Sequence, residues 1–233
     1  VICVAKNPSQ YISQIEQEFK LRDTTDEPSY YLGNDLKKMR SGKMHISSTT
    51  YTKEALRKYQ ADFGAVRKNN IPMDPTCHPE MDESPLLPEA GIKHYQRIIG
   101  ICQWLIVSGR FDLCYAITSL SRYSAAPREG HLETARQIMG YLRKYPRKGY
   151  VENPNPPTFD KVYDDVEVKC DFGNQYSYFR KELDPRFPEP LLEEIDINLF
   201  VDADHAYDKI SGRSITGLLA ILGSTPVSWR SKR

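Results

Sequence analysis

Apolar residues recur at helical spacing in four stretches of the chain. The first begins at Asn7 and Pro8, a capping residue followed by a proline that suits the first helical turn. The other three follow a proline-rich stretch at 70–91, which we expect to be a loop or linker. Their predicted apolar faces comprise Tyr95, Ile98, Ile99, Cys102, Leu105 and Ile106, then Phe111, Cys114, Tyr115 and Thr118, and then Leu132, Ala135, Ile138, Met139 and Leu142.

Strand patterns flank these helices. Residues 1–5 have the apolar composition of a buried strand, and a β-hairpin with a basic tip is predicted over residues 30–46, with its turn at Gly42. The Ser and Thr residues at 47–50 can cap a short helix over 51–60. Together with a β-rich C-terminal segment, these elements predict an α+β fold.

The C-terminal segment combines strand alternation with acidic residues. Ile197, Leu199 and Val201 alternate on one face of a strand, so Asp202 points to the opposite face. We expect this strand to be buried, and a carboxylate at the end of a buried strand is where metal-dependent nucleases place a first magnesium ligand. Asp204 is a second candidate ligand, or it orients the following loop instead.

The bulk composition is that of an ordinary globular protein. The chain has 233 residues, of which 39% are hydrophobic and 27% charged, and this size allows one large domain or two small ones. No apolar run approaches the roughly 18 residues that a membrane helix needs. The five cysteines lack metal-binding spacing and indicate reduced intracellular thiols. We expect a cytoplasmic protein with no membrane partner, and the missing initiator Met indicates a fragment of a longer polypeptide.

The net charge of +1 conceals a segregation of charge along the chain. Residues 34–70 carry nine Lys or Arg against three acids, residues 122–150 carry seven against two, and residues 209–233 carry five against none. Residues 152–196 show the reverse, with twelve acids and five bases, and we expect an extended connector there. Basic stretches in structured sequence favour a polyanionic partner, although solvated helix faces would have the same composition.

Several motifs occur in a fixed order along the chain. VICVAKN and PSQYISQIEQEFKL come first, followed by the hairpin YYLGNDLKKMRSGKMHIS and the segments YTKEALRKY and IPMDP. The helical region then contains Tyr95, Ile99, Gly100, Asp112, Leu120, Ser121, Arg122, Pro127 and His131. The order and spacing of these motifs resemble the reverse transcriptase of Ty1/copia-type retrotransposons, from just after its polymerase active site onward. The stretch INLFVDADHAYDKISGRSITG resembles the start of the same family's ribonuclease H domain.

The resemblance implies an order of domains. Residues 1–75 would form the C-terminal part of the reverse transcriptase palm with a primer-grip-like hairpin, and residues 76–150 would form a helical thumb and connection. Residues 151–195 would form an acidic connector, which is longer than the family's. Residues 196–233 would form the first strands of a ribonuclease H-like domain. A second departure is Phe111, where the family has proline.

The resemblance also implies contacts with nucleic acid, because lysines and backbone amides of a primer grip bind phosphates without reading sequence. The hairpin residues expected to hold the primer strand are Leu32, Gly33, Lys37, Lys38, Arg40 and Lys43. The thumb-helix residues expected along the duplex minor groove are Gln96, Arg97 and Gln103, whereas we expect Trp104 to belong partly to the core. The expected partners are an RNA/DNA hybrid or primer-template duplex and the remainder of the Pol polyprotein.

The catalytic groups that the family implies are incomplete in this chain. The polymerase aspartates would lie before Val1. Ribonuclease H needs several carboxylates to hold two Mg²⁺ ions, and the chain offers Asp202 as the first ligand with Asp204 as the weaker candidate. The family's next acid, a glutamate on a helix, would lie beyond Arg233. We therefore expect Mg²⁺ only in the complete enzyme, and we expect the isolated chain to be inactive.

Three other patterns are weaker candidates for chemistry. Asp164 and Asp165 are paired acids in the connector, but the tyrosine of a polymerase motif is missing before them. The His-x-Glu pairs at His78 and His131 lack the Pro-Cys-x-x-Cys partner of zinc deaminases. Cys77 beside His78 lacks a second ligand pair for zinc. We interpret all of these as ordinary loop and helix residues.

Three hypotheses for the function follow. The first is a fragment of a retrotransposon reverse transcriptase/ribonuclease H that contributes primer-template handling, in the cytoplasm or in a virus-like particle. The second is a non-enzymatic nucleic-acid-binding remnant of a degenerate element, which predicts salt-sensitive binding without a magnesium requirement. The third is a structural domain that binds no nucleic acid. We favour the first, and we predict poor solubility because missing palm strands would expose sheet edges.

Overall fold

The computed structural model describes residues 7–21, 28–153, 155 and 197–233, which fall into two compact units. Helix α1 (Pro8–Glu18) belongs to the first unit. It begins at the predicted proline, although Asn7 makes no side-chain cap bond. The elements described below belong to the second unit. The predicted strand at 1–5 lies outside the described residues, as do almost the whole acidic connector and its paired aspartates.

The helical part of the second unit confirms the predicted group of three helices. Its α-helices are α2 (Thr49–Phe63), α3 (Glu89–Val107), α4 (Cys114–Ser121) and α5 (Glu129–Lys144). Short 3-10 turns occupy Pro79–Met81 and Phe111–Leu113. Helix α2 is longer than the predicted helix over 51–60. None of the helices in the described part of the chain is long and apolar enough to cross a membrane.

The helices enclose one hydrophobic core. The predicted faces of α3 and α5 line it, and the hydroxyl of Tyr95 donates to the carbonyl of Leu120 at 2.5 Å. The residues predicted to share a face of α4, Phe111, Cys114, Tyr115 and Thr118, are half-buried. The side chains that α4 buries in the core are instead Ala116, Ile117 and Leu120. Because the core covers one side of this short helix and the C-terminal strands cover the other, apolar residues occur on both sides. The sequence of α4 therefore does not show which side faces the core.

An antiparallel sheet joins residues from both ends of the helical region. Its strand order is β1 (Tyr30–Tyr31), β2 (Asn34–Lys38), β3 (Met44–Ser47) and β4 (Gly149–Glu152). Strands β2 and β3 form the predicted hairpin, with Leu36 opposite Ile46. Strand β4 was not predicted, and it pairs with β3 so that Gly149 lies opposite Ser47. A Cβ at Gly149 would collide with the carbonyl oxygen of Ile46, which explains the glycine.

A second antiparallel sheet contains β5 (Ile197–Ala203), β6 (Thr216–Leu222) and β7 (Thr225–Lys232). One face packs against α3 and α4. The indole of Trp229 donates to the carbonyl of Ile106 at 2.8 Å, and the hydroxyl of Thr118 donates to the carbonyl of Ser231 at 3.2 Å. The predicted C-terminal strands and hairpin are therefore confirmed, and they rest on the side of α4 that the core leaves uncovered.

The expectation that β5 is a buried strand is wrong. Ile197 is 73% exposed, and Leu199 and Val201 are each 61% exposed. Phe200 and Asp202 line the cleft beside α4, and so does Val201, which lies at the end of the exposed face. Alternation tells which side chains share a face of a strand, but whether that face is covered depends on distant parts of the chain.

Candidate nucleic-acid interface and carboxylate site

Side-chain hydrogen bonds fix the β2–β3 hairpin to the start of α2. Asp35 accepts from the backbone amide of Thr50 at 2.7 Å and from its hydroxyl at 2.5 Å. The hydroxyls of Ser47 and Thr49 lie 2.9 Å apart. Ser48 stands at the N-cap but makes no side-chain cap bond. The Ser/Thr residues that were predicted to cap the helix instead attach the hairpin to it.

The turn before β2 lies directly against α3. Leu32 and Gly33 have φ angles of 46° and 85°, a backbone region that glycine adopts without steric cost. A Cβ at Gly33 would lie 3.3 Å from Cζ2 of Trp104, and the Tyr51 and Trp104 ring centroids are 6.2 Å apart. Trp104 is 46% exposed and is not part of the hydrophobic core, so the expectation that it belongs partly to the core is wrong. Leu32, next to Gly33, is 72% exposed.

The tip of the hairpin carries the predicted basic residues. Lys37, Lys38 and Arg40 are exposed, and Lys43 is half-buried. The amide of Met39 donates to the carbonyl of Lys43 at 2.8 Å, which closes the turn. No Asp or Glu occurs between positions 36 and 53. The tip is therefore a cationic turn, at the opposite end of the hairpin from the bonds to α2 and the contact with α3.

One face of α3 is exposed along most of its length. Its residues recur with a spacing of three or four positions, two of them as adjacent pairs, and so form a continuous stripe. A Cβ at Gly100, in the middle of the stripe, would meet nothing within 4 Å. The stripe thus combines amide groups, a guanidinium and an indole around a flat, open position. We call it the α3 stripe, and it consists of Gln96, Arg97, Gly100, Gln103, Trp104 and Val107.

Two of the predicted contact residues on α3 have intramolecular partners. The side-chain amide of Gln96 donates to the carbonyl of Ser124 at 2.8 Å. Arg97 pairs with Asp62, and its guanidinium carbon lies 5.5 Å from the ring centroid of Phe63. Both arrangements are solvent-exposed, and exposed ion pairs contribute only about 0–1 kcal/mol. A polyanion on this face could therefore replace Asp62 as the partner of Arg97 at small cost.

A cleft of about 740 Å³ lies between the β5–β7 sheet and the start of α4. Its rings contact one another, with 5.6 Å between the centroids of Phe111 and Trp229 and 5.7 Å between those of Tyr115 and Tyr207. The cleft is therefore lined by aromatic and aliphatic side chains with acidic groups among them. Those acids are Asp112, Asp202 and Asp204.

The two candidate metal ligands have different environments. Asp202 is exposed and lies opposite Gly217 on β6, and its carboxylate accepts no hydrogen bond from the residues that the structure describes. One carboxylate oxygen of Asp204 accepts from the amide of Ile215 at 2.6 Å, while the amide of Asp204 donates to the carbonyl of Ile215 at 3.2 Å. Asp204 therefore closes the loop between β5 and β6, which is the alternative role considered for it.

The described residues contain no group of three or more His, Cys, Asp or Glu side chains that could hold a metal ion. A two-metal site needs several converging carboxylates. Asp202 provides one such group, and Asp204 is already engaged with Ile215. Within the described ranges, the side chains therefore do not supply the donor set of the two-magnesium site that the family implies.

A buried ion cluster attaches the loop between β5 and β6 to the end of α4. Asp208 is 1% exposed and lies 2.6 Å from Arg122 and 2.9 Å from Arg233. It also accepts from the amide of Ser211 at 2.8 Å. Burial opposes ionisation of this carboxyl, but the Ser211 amide and Arg122 outweigh it and hold its pKa well below the usual range. Arg122 is one of the motif residues, but no sequence pattern predicts its ion pair with Asp208.

The same loop is held at a second point by Tyr207. Its hydroxyl donates to the carbonyl of Cys77 at 2.6 Å, and its ring stacks on His78 at 4.6 Å between centroids. Nδ1 of His78 lies 2.9 Å from a carboxylate oxygen of Glu80, which also accepts from the amide of Lys209 at 3.1 Å. Cys77 and His78 thus join two loops, in agreement with their interpretation as loop residues.

Residues that carry the family resemblance build the scaffold. Arg110, which is 1% exposed, donates to both carboxylate oxygens of Asp112 at 3.0 Å. The turn is therefore fixed by this pair although Phe111 replaces the family's proline. Nδ1 of His131 accepts from the amide of Arg128 at 3.1 Å. These motif positions therefore fix the local fold through hydrogen bonds within the chain.

The fold and its surfaces define an α+β protein that presents a cationic hairpin beside an exposed helix. Curated relatives cover almost the whole chain. The retrovirus-related Pol polyproteins from transposons RE1 and RE2 of Arabidopsis thaliana are 26% and 25% identical to it over 227 residues. Those matches cover 95% of this chain and 12% of each polyprotein. A transposon Ty5-1 protein of Saccharomyces cerevisiae is 22% identical over 240 residues, covering 100% of this chain and 63% of that protein.

These relatives confirm the resemblance to Ty1/copia-type Pol polyproteins. The chain is thus homologous to a stretch of a retrotransposon polyprotein. No family model matches the chain, and no solved structure matches it. The roles of the individual site residues therefore rest on their geometry.

Proposed function

We propose that this chain handles the primer-template duplex within the reverse transcriptase/ribonuclease H part of a Ty1/copia-type retrotransposon Pol polyprotein. The observation that carries the proposal is the exposed α3 stripe, which lies against the β1–β2 turn of the sheet whose hairpin carries the cationic tip. The chain spans 12% of the RE1 and RE2 polyproteins. RNA-directed DNA synthesis and hydrolysis of the RNA strand in RNA/DNA hybrids would therefore be activities of the longer protein.

The α3 stripe is suited to lie along a duplex. The minor groove of A-form nucleic acid is wide and shallow and displays base edges and 2′-hydroxyls. Gln96, Gly100 and Trp104 lie four residues apart on the exposed face of α3. An amide can hydrogen-bond groove atoms, a glycine allows the duplex to approach the helix closely, and an indole provides flat apolar surface. None of these contacts requires a particular base sequence.

The hairpin tip would bind the phosphates of one strand. Lys37, Arg40 and Lys43 supply the positive charge, and lysine and arginine bind phosphate oxygens without reading the base. The contact between Gly33 and Trp104 places the β1–β2 turn against α3, and the basic tip lies at the other end of β2. The five residues of β2 span about 17 Å at a rise near 3.3 Å per residue, so a duplex that contacts both the α3 stripe and the tip would lie along the hairpin.

The test is binding of this chain to a labelled RNA/DNA hybrid, measured by fluorescence anisotropy at about 50 to 200 mM salt, with and without Mg²⁺. RNA cleavage is scored in the same samples. We expect salt-sensitive binding that does not depend on the base sequence. The triple variant K37Q/R40Q/K43Q should reduce the slope of log affinity against log salt by about 1 for each phosphate that the hairpin no longer binds.

The matched control is K53Q/R57Q/K209Q, which removes three exposed charges elsewhere on the surface. It should bind nearly as tightly as the original chain. Absence of binding at the lowest salt would overturn the proposed function. Equal decreases in affinity in the two triple variants would show only a general charge effect and would remove the hairpin from the proposal.

We also propose that Asp202 supplies one carboxylate to a magnesium site of the longer polyprotein. Its support is an exposed position at the aromatic cleft and the absence of a hydrogen bond from the described residues. Cleavage of RNA should therefore appear in a longer polyprotein segment and disappear in its Asp202→Asn variant. Cleavage that persists in that variant would contradict this role.

A non-enzymatic nucleic-acid-binding remnant is the second candidate function. It is supported by the exposed basic residues of the hairpin, whose contacts with phosphate need no metal ion. It would use the same hairpin and α3 stripe, but binding would need no Mg²⁺, and no longer segment of the same element would polymerise or cleave. Assays of the longer segment therefore separate the two candidates.

A further inference from the structure

A second basic surface lies at the end of α5, away from the hairpin tip. Two segments of the chain, residues 63–73 and 134–151, together contain seven Lys or Arg and no Asp or Glu. They are far apart in sequence, yet the second half of α5 brings them together. We call the resulting surface the α5 basic patch, and its residues are Arg67, Lys68, Arg143, Lys144, Arg147 and Lys148.

Gly140 allows the two segments to meet. A Cβ at this position would collide with the carbonyl oxygen of Arg67 and with the side chain of Asn69. The amide of Asn69 donates to the carbonyl of Gly140 at 3.2 Å, and Arg143 donates to the carbonyl of Val66 at 2.5 Å. Lys144 donates to the side chain of Asn70. The loop that carries Arg67 and Lys68 is therefore held against the basic end of α5 by specific bonds.

The charges of the patch are exposed to solvent. Arg67, Lys68 and Arg147 are exposed, and their side chains form no ion pair with any part of the chain that the structure describes. Lys144 and Lys148 lie 5.3 Å and 5.0 Å from the ring centroid of Tyr145, which is half-buried between them. Like charges at close range repel one another, so a bound anion would stabilise this arrangement.

The patch is separate from the hairpin tip. The patch and the hairpin tip lie at opposite ends of the β3–β4 strand pair. On the β3–β4 pair, Met44 lies opposite Glu152 near the hairpin tip, while Ser47 lies opposite Gly149, the residue after Lys148. The four residues of β3 separate these ends by about 10 Å or more at a rise near 3.3 Å per residue. Contacts at the two sites would therefore fall on different phosphates.

We propose that the α5 basic patch is a second, sequence-independent binding surface for the phosphate backbone of the nucleic acid. This proposal rests on the proposed function for the identity of the polyanion, an RNA/DNA hybrid. The patch offers several lysine and arginine side chains within a small area, with an aromatic ring among them, and lysine and arginine bind backbone phosphates. Each phosphate contact releases condensed counterions, so the patch would add to the salt dependence of binding.

The test compares three charge-matched triple variants on the same RNA/DNA hybrid. The patch variant is R67Q/K68Q/R147Q, which leaves the hydrogen-bonded Arg143, Lys144 and Lys148 in place. The hairpin variant is K37Q/R40Q/K43Q, and the control is K53Q/R57Q/K209Q. Thermal melting followed by circular dichroism confirms that each variant folds. The patch variant should bind about tenfold or more weakly at moderate salt and show a shallower salt slope.

The outcomes separate this proposal from the proposed function. Loss of binding in the patch variant with normal binding in the hairpin variant would support the patch and contradict the hairpin site. The reverse result, with the patch variant equal to the control, would overturn the patch and leave the proposed function standing. Vesicles containing phosphatidylserine provide another arm. Loss of vesicle binding in the patch variant without loss of hybrid binding would assign the surface to membranes and contradict the proposal.

Discussion

Arg122 at the end of α4 forms a 2.6 Å ion pair with Asp208, which lies 86 positions further along the chain. The carboxylate of Asp208 is buried and also receives Arg233 and the amide of Ser211. This cluster attaches the β5–β6 loop to the helical core. The C-terminal strands are therefore part of the same compact unit as the helices, and substitutions in one part should affect the other.

Replacing Arg122 should destabilise the whole second unit. Arg122→Gln leaves the buried Asp208 carboxylate with weaker compensation, and a hydrogen bond to a charged group contributes about 1.5–3 kcal/mol. We expect the free energy of unfolding, measured by urea denaturation, to fall by about 2 kcal/mol. The exposed Arg57→Gln on α2 is the control and should change it by no more than about 0.5 kcal/mol. Equal effects of the two substitutions would contradict the role of the cluster.

The same carboxylate predicts a pH dependence of stability. The folded-state pKa of Asp208 lies below its unfolded value, so its contribution is fully present above about pH 4 and is lost as the pH falls below that. The difference in unfolding free energy between the original chain and Asp208→Asn should be constant near neutral pH and shrink in acid. Denaturation series at several pH values measure this difference. A difference that grows as the pH falls would show that the sign of the pKa shift is wrong.

Two glycines in helices should respond in opposite ways to alanine. Gly140→Ala places a Cβ against the carbonyl oxygen of Arg67, so the loop must move, and overpacking of this kind costs about 1–3 kcal/mol. Gly100→Ala adds a methyl group in open space and should stabilise α3 by about 1 kcal/mol through helix propensity. The melting temperatures of the two variants measure this contrast. Equal shifts in the same direction would contradict the described geometry.

The periodicity of the chain predicted which segments form helices and hairpins, because those patterns are local. Strand β4 escaped prediction, since the four residues Gly149–Glu152 are too few to show a period and form a strand only by pairing with β3. The exposure of Leu199 and Val201 was also not predictable, because coverage of a strand face is decided elsewhere in the chain. The candidate site shows the same division between local and distant information. The sequence alone identified Trp104 and the hairpin lysines as candidates. The empty space beside Gly100 and the ion pair between Arg122 and Asp208 depend on parts of the chain that only the fold brings together.

The two candidate metal ligands should differ in their effect on stability. Asp204→Ala removes the acceptor of the Ile215 amide, and we expect a loss of about 1 kcal/mol in the free energy of unfolding. Asp202→Ala removes an exposed carboxylate and should change it by no more than about 0.5 kcal/mol. Urea denaturation of the two variants tests this difference. A large loss for Asp202→Ala would show that Asp202 has a structural role, which would weaken its assignment as a ligand.

The central claim, that α3 lies against a duplex, is tested most directly by Gly100→Leu. The substitution places a large side chain in the middle of the α3 stripe, where a Cβ meets nothing in the folded protein, and leucine is a better helix former than glycine. The matched control is Ala90→Leu, at an exposed position in the first turn of the same helix. Binding of both variants to the labelled RNA/DNA hybrid is measured at constant salt. We predict a loss of at least about tenfold for Gly100→Leu and normal binding for Ala90→Leu; equal affinities for the two variants would contradict the account.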